Sequence, residues 1–101
     1  VRTRRRGEEM VKVMGGGQVV VLRGHGLTTA APTLQGAVAT ALSVNVLATM
    51  TVSLASAGRD AEEVPAADRA ELPDLGASFN DDLIWRHHVA KLAYRGLAVD
   101  L

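Results

Sequence analysis

The 101-residue chain contains no cysteine, and this absence excludes disulfide bonds and thiolate metal sites. One tryptophan, one tyrosine and one phenylalanine are too few for the base-stacking surface that binds single-stranded nucleic acid. The 11 basic and 11 acidic residues give a formal net charge of zero, so nothing draws the chain as a whole to nucleic acid or an anionic membrane. We therefore expect a cytoplasmic protein without a nucleic-acid partner, whose 48% hydrophobic content allows a packed core.

Charge is nearly absent from the middle of the chain. His25 is the one ionisable residue within residues 24–58, and residues 37–57 are long enough to span a bilayer, which takes about 20 residues. Unpaired polar groups are costly in hydrocarbon, however, and no aromatic belt flanks the segment. The polar side chains within it are Thr40, Ser43, Asn45, Thr49, Thr51, Ser53 and Ser56. We interpret the segment as a buried helix of a soluble domain that has no membrane partner.

The first part of the chain predicts a helix followed by two strands. Residues 7–14 have an apolar side and acidic residues near their start, and Gly15-Gly16-Gly17 ends this helix. Residues 18–23 read as a strand, and the unbroken run Val19-Val20-Val21-Leu22 indicates burial on both faces. Residues 27–30 form a second strand, which is either the partner of a hairpin or a bent continuation.

The second part of the chain predicts two longer helices. Thr33 is the expected N-cap of a helix over residues 34–56 that stops at Gly58. A polar connection over residues 59–76 contains one helical turn near residues 66–70. The last helix spans residues 79–95 and ends before Gly96. Its expected apolar stripe consists of Leu83, Ile84, His87, Val89, Leu92 and Ala93.

The clearest chemical signal is His25, which lies between two glycines at the end of the first strand. Gly24 and Gly26 remove side-chain bulk on both sides, so the imidazole can project into open space. A neutral imidazole at a rigid strand end suits a borderline divalent metal. Since a turn or packing role is the more common one for such a histidine, the motif alone leaves both roles open.

Together with the residues that follow it, this motif resembles the class II aldolase/adducin family. The segment Leu27-Thr28-Thr29-Ala30-Ala31-Pro32-Thr33-Leu34 and the alanine-rich helix extend the resemblance, which covers roughly residues 7–95. It implies an α/β fold, the C-terminal part of an α/β/α sandwich with a mostly antiparallel sheet. It also implies a homo-oligomer, commonly a tetramer, and assigns His25 as the third histidine ligand of a catalytic divalent ion. Zinc is the first expectation, with manganese or a similar ion as the alternative.

The chain departs from the family pattern where the remaining ligands are expected. The family takes two further histidines from a His-x-His pair, and an acidic residue, from its N-terminal half. This chain has no His-x-His, because His87 and His88 are adjacent. A catalytic zinc normally needs three protein ligands. We therefore expect residues 1–101 to form a single partial domain that lacks the N-terminal half, through truncation or because that half is a separate polypeptide.

The C-terminal helix resembles one branch of the family, whose members decarboxylate hydroxylated aromatic dicarboxylates. The residues concerned are Leu75-Gly76-Ala77-Ser78-Phe79 and Trp85-Arg86-His87-His88-Val89-Ala90-Lys91-Leu92. The resemblance implies a metal-dependent carbon–carbon lyase acting on a small molecule. Arg86 and His88 are then candidate catalytic residues, and Arg23 is a candidate ligand of a substrate carboxylate. The competing roles are ordinary surface charge for the arginines and packing near Trp85 for one histidine.

Two other functions stay open within the same fold. One is a sugar-phosphate aldolase or 4-epimerase, and the other is a non-catalytic, adducin-like oligomerisation module. Nucleotide binding is not favoured, because Gly15-Gly16-Gly17 precedes a strand, whereas phosphate-binding glycines follow one. We interpret the arginines of residues 2–6 as a solvated tail, and Asp81 and Asp82 as residues that favour a helix N-terminus.

Overall fold

A computed structural model describes residues 2–76 and 78–98, which form four helices and a two-stranded sheet. In chain order the elements are α1 (Arg4–Met14), β1 (Val19–Leu22), β2 (Gly26–Thr29), α2 (Leu34–Ser56), α3 (Ala66–Glu71) and α4 (Asp81–Tyr94). The mixture of helices with an antiparallel sheet agrees with the predicted α/β class. The two described strands are one hairpin, which is less than the sheet of an α/β/α sandwich.

Helix α1 begins earlier than predicted and includes three of the four arginines of residues 2–6. Thr3 caps it, since its Oγ1 accepts a hydrogen bond from the Arg6 N–H at 3.4 Å. Within the described residues, the arginines lie one turn from acidic partners in three exposed ion pairs: Arg4–Glu8, Arg5–Glu9 and Arg6–Glu9. Each such pair stabilises a helix by roughly 0.2–0.5 kcal/mol. The prediction of a solvated tail was therefore wrong for residues 4–6.

The strands β1 and β2 form a hairpin, which decides between the two arrangements left open by the sequence. Val19 pairs with Thr29 at one end and Leu22 with Gly26 at the other. Gly24 has φ 68° and Gly26 has φ 150°, both of which are readily adopted only by glycine. These two glycines allow the chain to reverse through residues 23–25.

The hairpin is covered on one face only, contrary to the prediction of burial on both. Val20 is 8% exposed, whereas the next residue, Val21, is 73% exposed. Side chains alternate between the faces of a strand, so an unbroken apolar run does not by itself require two covered faces. α1 packs against β1, and α2 packs against β2.

Helix α2 has the predicted bounds but not the predicted burial. Thr33 caps its N-terminus, where Oγ1 accepts from the Gly36 N–H at 3.1 Å, and Gly58 follows its end with φ 70°. Gly36 and Ala39 are the buried residues of α2, all of which lies in the described part of the chain. The interpretation as a buried helix was therefore wrong for this chain. By length and composition α2 is also long and apolar enough to cross a membrane, as are the core helices of many soluble proteins.

Helix α4 packs against α2. Its half-buried residues are Asp81, Ile84, Trp85, His88 and Val89, which recur at helical spacing. Ile84 and Val89 were predicted to lie on this face and do so. The other predicted members are exposed, namely Leu83, His87, Leu92 and Ala93. The helix ends at Tyr94, and Gly96 follows with φ 71° as the sequence indicated.

Candidate functional site

His25 lies in the exposed hairpin turn, with its backbone N–H donating to the carbonyl oxygen of Leu22 at 3.0 Å. The neighbouring glycines border open space, because a Cβ added to either would have no heavy atom within 4 Å beyond its chain neighbours. The backbone hydrogen bond fixes the turn, and the bare glycines leave the imidazole accessible. The expected projection of His25 from the strand end agrees with this geometry, while its role as a ligand stays a prediction.

The donor set around His25 does not by itself fit a catalytic metal. Within residues 2–76 and 78–98, no group of three or more His, Asp or Glu side chains is arranged to hold an ion. A catalytic zinc takes three protein ligands and keeps a further position for water or substrate. The described part of the chain thus offers His25 as one imidazole, and no reaction step through a metal follows from these residues alone.

Arg23 lies beside His25 in the turn, at the edge of a groove between α1 and β1. The groove has a volume of about 430 Å³ and is lined mainly by apolar side chains, among them Met10, Val13 and Val20. Arg6 also lines the groove, and its Nη1 lies 3.2 Å from Glu9 Oε2. Arg23 is in none of the ion pairs formed among the described residues. A guanidinium at the rim of an apolar groove suits a carboxylate with an apolar body.

Arg86 and His88 lie on α4, where they point in different directions. Arg86 Nη2 is 2.9 Å from Asp82 Oδ2, and both side chains are more than 70% exposed. Such an exposed pair contributes about 0–1 kcal/mol, so it would not prevent Arg86 from exchanging partners. Residues two apart on a helix do not share a face, and His88 is accordingly half-buried while Arg86 is exposed.

His88 faces α2 in a groove of about 410 Å³ whose other walls include Leu42, Leu47 and Ile84. Its ring meets that of the exposed His87 edge to face, with 5.2 Å between the ring centroids. The exposure of His87 and the half-burial of His88 agree with the structural alternative to a catalytic role, while packing of one histidine near Trp85 stays a prediction. The groove of His88 and the groove of Arg23 have no lining residue in common, and neither His25 nor Arg86 lines either of them. The structure therefore does not gather the four candidates into one site.

Asp81 is a contact residue that the sequence interpretation did not recognise. A Cβ at Gly36 would lie 2.9 Å from Asp81 Oδ2, so the carboxylate rests against the first turn of α2. That turn contains no acidic residue of its own, and a carboxylate near its exposed N–H groups is favourable. A signal was present in the sequence. Glycine in the first turn of a long helix weakens that helix, so its presence indicates that another group approaches the backbone closely there.

Comparison with known proteins gives two kinds of match. Residues 1–52 match the family model described as Class II Aldolase and Adducin N-terminal domain. A 3,4-dihydroxyphthalate decarboxylase of Arthrobacter keyseri is 47% identical over 93 residues, which are 92% of this chain and 38% of that protein. A protein of the same name from Terrabacter sp. (strain DBF63) is 49% identical over 92 residues, which are 91% of this chain and 38% of that protein.

The chain therefore spans 38% of the length of these curated relatives. No solved structure matches it. Two segments carry the resemblance to the decarboxylase branch, residues 75–79 before α4 and residues 85–92 within it. More than nine-tenths of the chain aligns with the Arthrobacter keyseri protein. Ala77 of the first segment lies outside the described residues.

Proposed function

The chain belongs to the class II aldolase and adducin family, in its decarboxylase branch, and on that basis we propose that it contributes to a metal-dependent carbon–carbon lyase. The proposed reaction is decarboxylation of a hydroxylated aromatic dicarboxylate. The supporting observation is identity of 47–49% along more than nine-tenths of the chain with proteins named 3,4-dihydroxyphthalate decarboxylase. Because the chain corresponds to 38% of those proteins, we propose that it is a partial domain and acts with further polypeptide that completes an α/β/α sandwich.

His25 is the proposed metal ligand, with zinc as the first candidate and manganese or a similar ion as the alternative. Its exposed position between two glycines supports this role, and the remaining ligands have to come from other polypeptide. A divalent ion in such a site acts as a Lewis acid toward substrate oxygens. What this chain contributes is an accessible imidazole on a backbone that the turn fixes, through the hydrogen bond from the His25 N–H to the Leu22 carbonyl oxygen.

The other candidate residues are assigned to the substrate. Arg23 is proposed to bind a substrate carboxylate through two parallel N–H donors, with the aromatic body against the apolar groove. Arg86 is proposed to exchange Asp82 for a substrate carboxylate when the site is assembled. His88 is proposed to donate the proton that replaces the departing carboxylate on carbon. Since these residues do not share one groove of this chain, a complete site would need parts of more than one chain or domain.

The proposed setting follows from the same family resemblance. We propose a homo-oligomer, with a tetramer as the first expectation, and a cytoplasmic location consistent with the absence of cysteine. The non-catalytic oligomerisation module is the second candidate, in which His25 would serve the hairpin turn and not a metal. A sugar-phosphate aldolase or 4-epimerase stays the alternative within the same fold.

A chimera tests the proposed activity. This chain would replace the matching 93 residues of the Arthrobacter keyseri protein, and release of CO₂ from 3,4-dihydroxyphthalate would be measured. We expect the chimera to release CO₂. His25→Ala should lower this activity at least roughly 100-fold, because even residues that only hydrogen-bond to a metal ligand contribute 10–100-fold. His87→Ala should cause little loss of activity. A folded, metal-loaded chimera without decarboxylation would reject the proposal, and cleavage of a sugar phosphate would favour the alternative.

A further inference from the structure

The start of α4 packs against the start of α2. Asp81 is the first residue of α4, and its Oδ2 lies 2.9 Å from the point that a Cβ on Gly36 would occupy. Further along α4, His88 lines a groove together with Leu42 and Leu47 of α2. The contacting positions advance in the same direction along both helices, so α4 runs roughly parallel to α2 and their N-termini lie side by side.

This parallel arrangement brings two positive helix ends together. The N-terminus of a helix carries about half a positive elementary charge, so two such ends repel each other. In the first turn of α2, the N–H groups of Leu34 and Gln35 have no carbonyl partner within the helix, and that turn contains no acidic residue. The side chain of Asn80, the N-cap of α4, makes no capping hydrogen bond. An anionic group between the two ends would therefore stabilise the packing.

The carboxylate of Asp81 is an anionic group in this position. It belongs to the first turn of α4 and lies against the first turn of α2. The ion pairs among the described residues do not include Asp81, and the two grooves that it lines have no lysine or arginine in their walls. Its neighbour Asp82 differs, because it is exposed and lies 2.9 Å from Arg86. The two helix ends, and not a side-chain cation, thus account for the position of the half-buried Asp81.

The same turn of α2 also holds the hairpin. Thr29 Oγ1 in β2 donates to the carbonyl oxygen of Ala37 at 3.0 Å, and Ala37 directly follows Gly36. Two adjacent residues of α2 thus contact the two elements that carry the candidate site residues. The hairpin of His25 is held at Ala37, and α4 is held at Gly36.

We propose that Asp81 is a positioning residue whose single carboxylate is shared by the N-termini of α2 and α4 and holds α4 in place. Arg86 and His88 are carried by α4, so their placement relative to the hairpin of His25 depends on this contact. The contact lies entirely within this chain. The role of Asp81 in the reaction rests on the proposed function, whereas its role in holding α4 does not.

Asp81→Asn in the 101-residue chain tests the contact, with Asp82→Asn as the matched control. Both substitutions remove one negative charge from the first turn of α4, but only the Asp81 carboxylate lies against α2. In nuclear magnetic resonance spectra recorded without metal or substrate, we expect Asp81→Asn to shift the amide signals of residues 34–36. Asp82→Asn should leave those signals in place. Equal shifts in the two variants, or no shift in either, would overturn the inference.

Amide hydrogen exchange tests whether the contact holds the two helices together. In Asp81→Asn, residues 37–40 of α2 and the amides of α4 should both exchange at least about threefold faster, because a carboxylate at a partly buried helix N-terminus contributes that much or more. Asp82→Asn should affect α4 alone, and α1 should keep its rates in both variants. Equal acceleration of every element, or unprotected α4 amides in the parent chain, would contradict the proposed role.

The chimera supplies the functional readout. We expect Asp81→Asn to lower the rate of CO₂ release at saturating substrate at least roughly tenfold, because a displacement of about 1 Å can cost 10²-fold. Zinc per chain should stay at the parent value, because His25 lies on the hairpin and not on α4. Unchanged turnover, or loss of zinc together with activity, would reject the positioning role. An inactive parent chimera would reject the proposed function instead, and the spectra and exchange rates would still decide whether Asp81 holds α4.

Discussion

His25 occupies a turn in which the backbone is constrained and the side chain is not. Gly24 at φ 68° and Gly26 at φ 150° reverse the chain around it, and neither contributes a side chain that could cover the imidazole. We predict that zinc bound per chain in the chimera falls from near one to near zero on His25→Ala, because loss of one of three protein ligands removes the metal. Elemental analysis by mass spectrometry measures this, with His87→Ala as the histidine control. Equal metal content in both variants would mean that His25 is not a ligand.

Gly36 is a residue of α2 that a side chain of α4 approaches closely. An added Cβ would lie 2.9 Å from Asp81 Oδ2 and 3.2 Å from both Ala31 Cβ and Thr33 Oγ1. The Asp81 carboxylate is the end of a flexible side chain and can rotate away, whereas Ala31 Cβ and Thr33 Oγ1 must shift by a few tenths of an ångström. We predict that Gly36→Ala lowers the free energy of unfolding by about 1 kcal/mol through overpacking, despite the better helix propensity of alanine. Urea unfolding followed by circular dichroism measures the change.

Two further variants separate this clash from other effects of the substitution. Gly16→Ala is the control, because a Cβ at Gly16 meets nothing within 4 Å, and it should be neutral or slightly stabilising. Asp81→Ala should reduce the cost of Gly36→Ala in a double-mutant cycle, because the two side chains are in contact. Additive effects in that cycle would show that the carboxylate is not the clashing group.

At the scale of elements, α2 offers a test of its N-terminal cap. Thr33 Oγ1 accepts from the Gly36 N–H at 3.1 Å, which satisfies one of the open donors of the first turn. We predict that Thr33→Ala destabilises the chain by about 1 kcal/mol. Thr49→Ala, the same exchange at an exposed mid-helix position, should be neutral or stabilising, because alanine is the better helix former there. Thermal melts of helix content distinguish the two, and equal losses would argue against the cap.

The same elements show which features a sequence determines locally. Thr33, Gly58 and Gly96 marked helix ends correctly because capping depends on a few neighbouring residues. The α1 start was misplaced because the ion pairs of its arginines, also local, were overlooked. The burial of Val21 and α2 was overestimated because burial depends on what other polypeptide covers an element, which no periodicity records.

For the candidate site too, the local features were predictable from the sequence and the contacts between distant residues were not. The Gly24-His25-Gly26 motif indicated an exposed histidine in a turn, and the structure agrees. The separation of Arg23 and His25 from Arg86 and His88 was not predictable, because it depends on how α4 packs against α2 and not on the hairpin. The Asp81 contact with Gly36 was missed for the same reason, since it joins residues from distant parts of the chain.

At the scale of the whole molecule, the interior is small. Among the described residues, the buried hydrophobic side chains are Val20 and Ala39, and Leu47, Met50 and Val52 are more than half exposed. Burial of a valine or leucine contributes about 1.5–3 kcal/mol, whereas ordering the backbone costs about 1–2 kcal/mol per residue. We therefore expect the isolated monomer to be at most marginally stable and association to supply part of its stability.

This expectation leads to a prediction about thermal unfolding. A chain whose folded form associates gains stability with concentration, because association removes folded monomer from the unfolding equilibrium. We predict a broad transition whose midpoint rises with protein concentration in the parent chain and in Leu72→Glu, but not in Leu47→Glu. Leu47 and Leu72 are each 62% exposed, but Leu47 lies on α2, whereas Leu72 follows α3. Differential scanning calorimetry measures the midpoint and the enthalpy together. A sharp, concentration-independent transition would mean that the monomer is stable without association. Its unfolding enthalpy would then be about 70 kcal/mol, the value for a compact domain of this length.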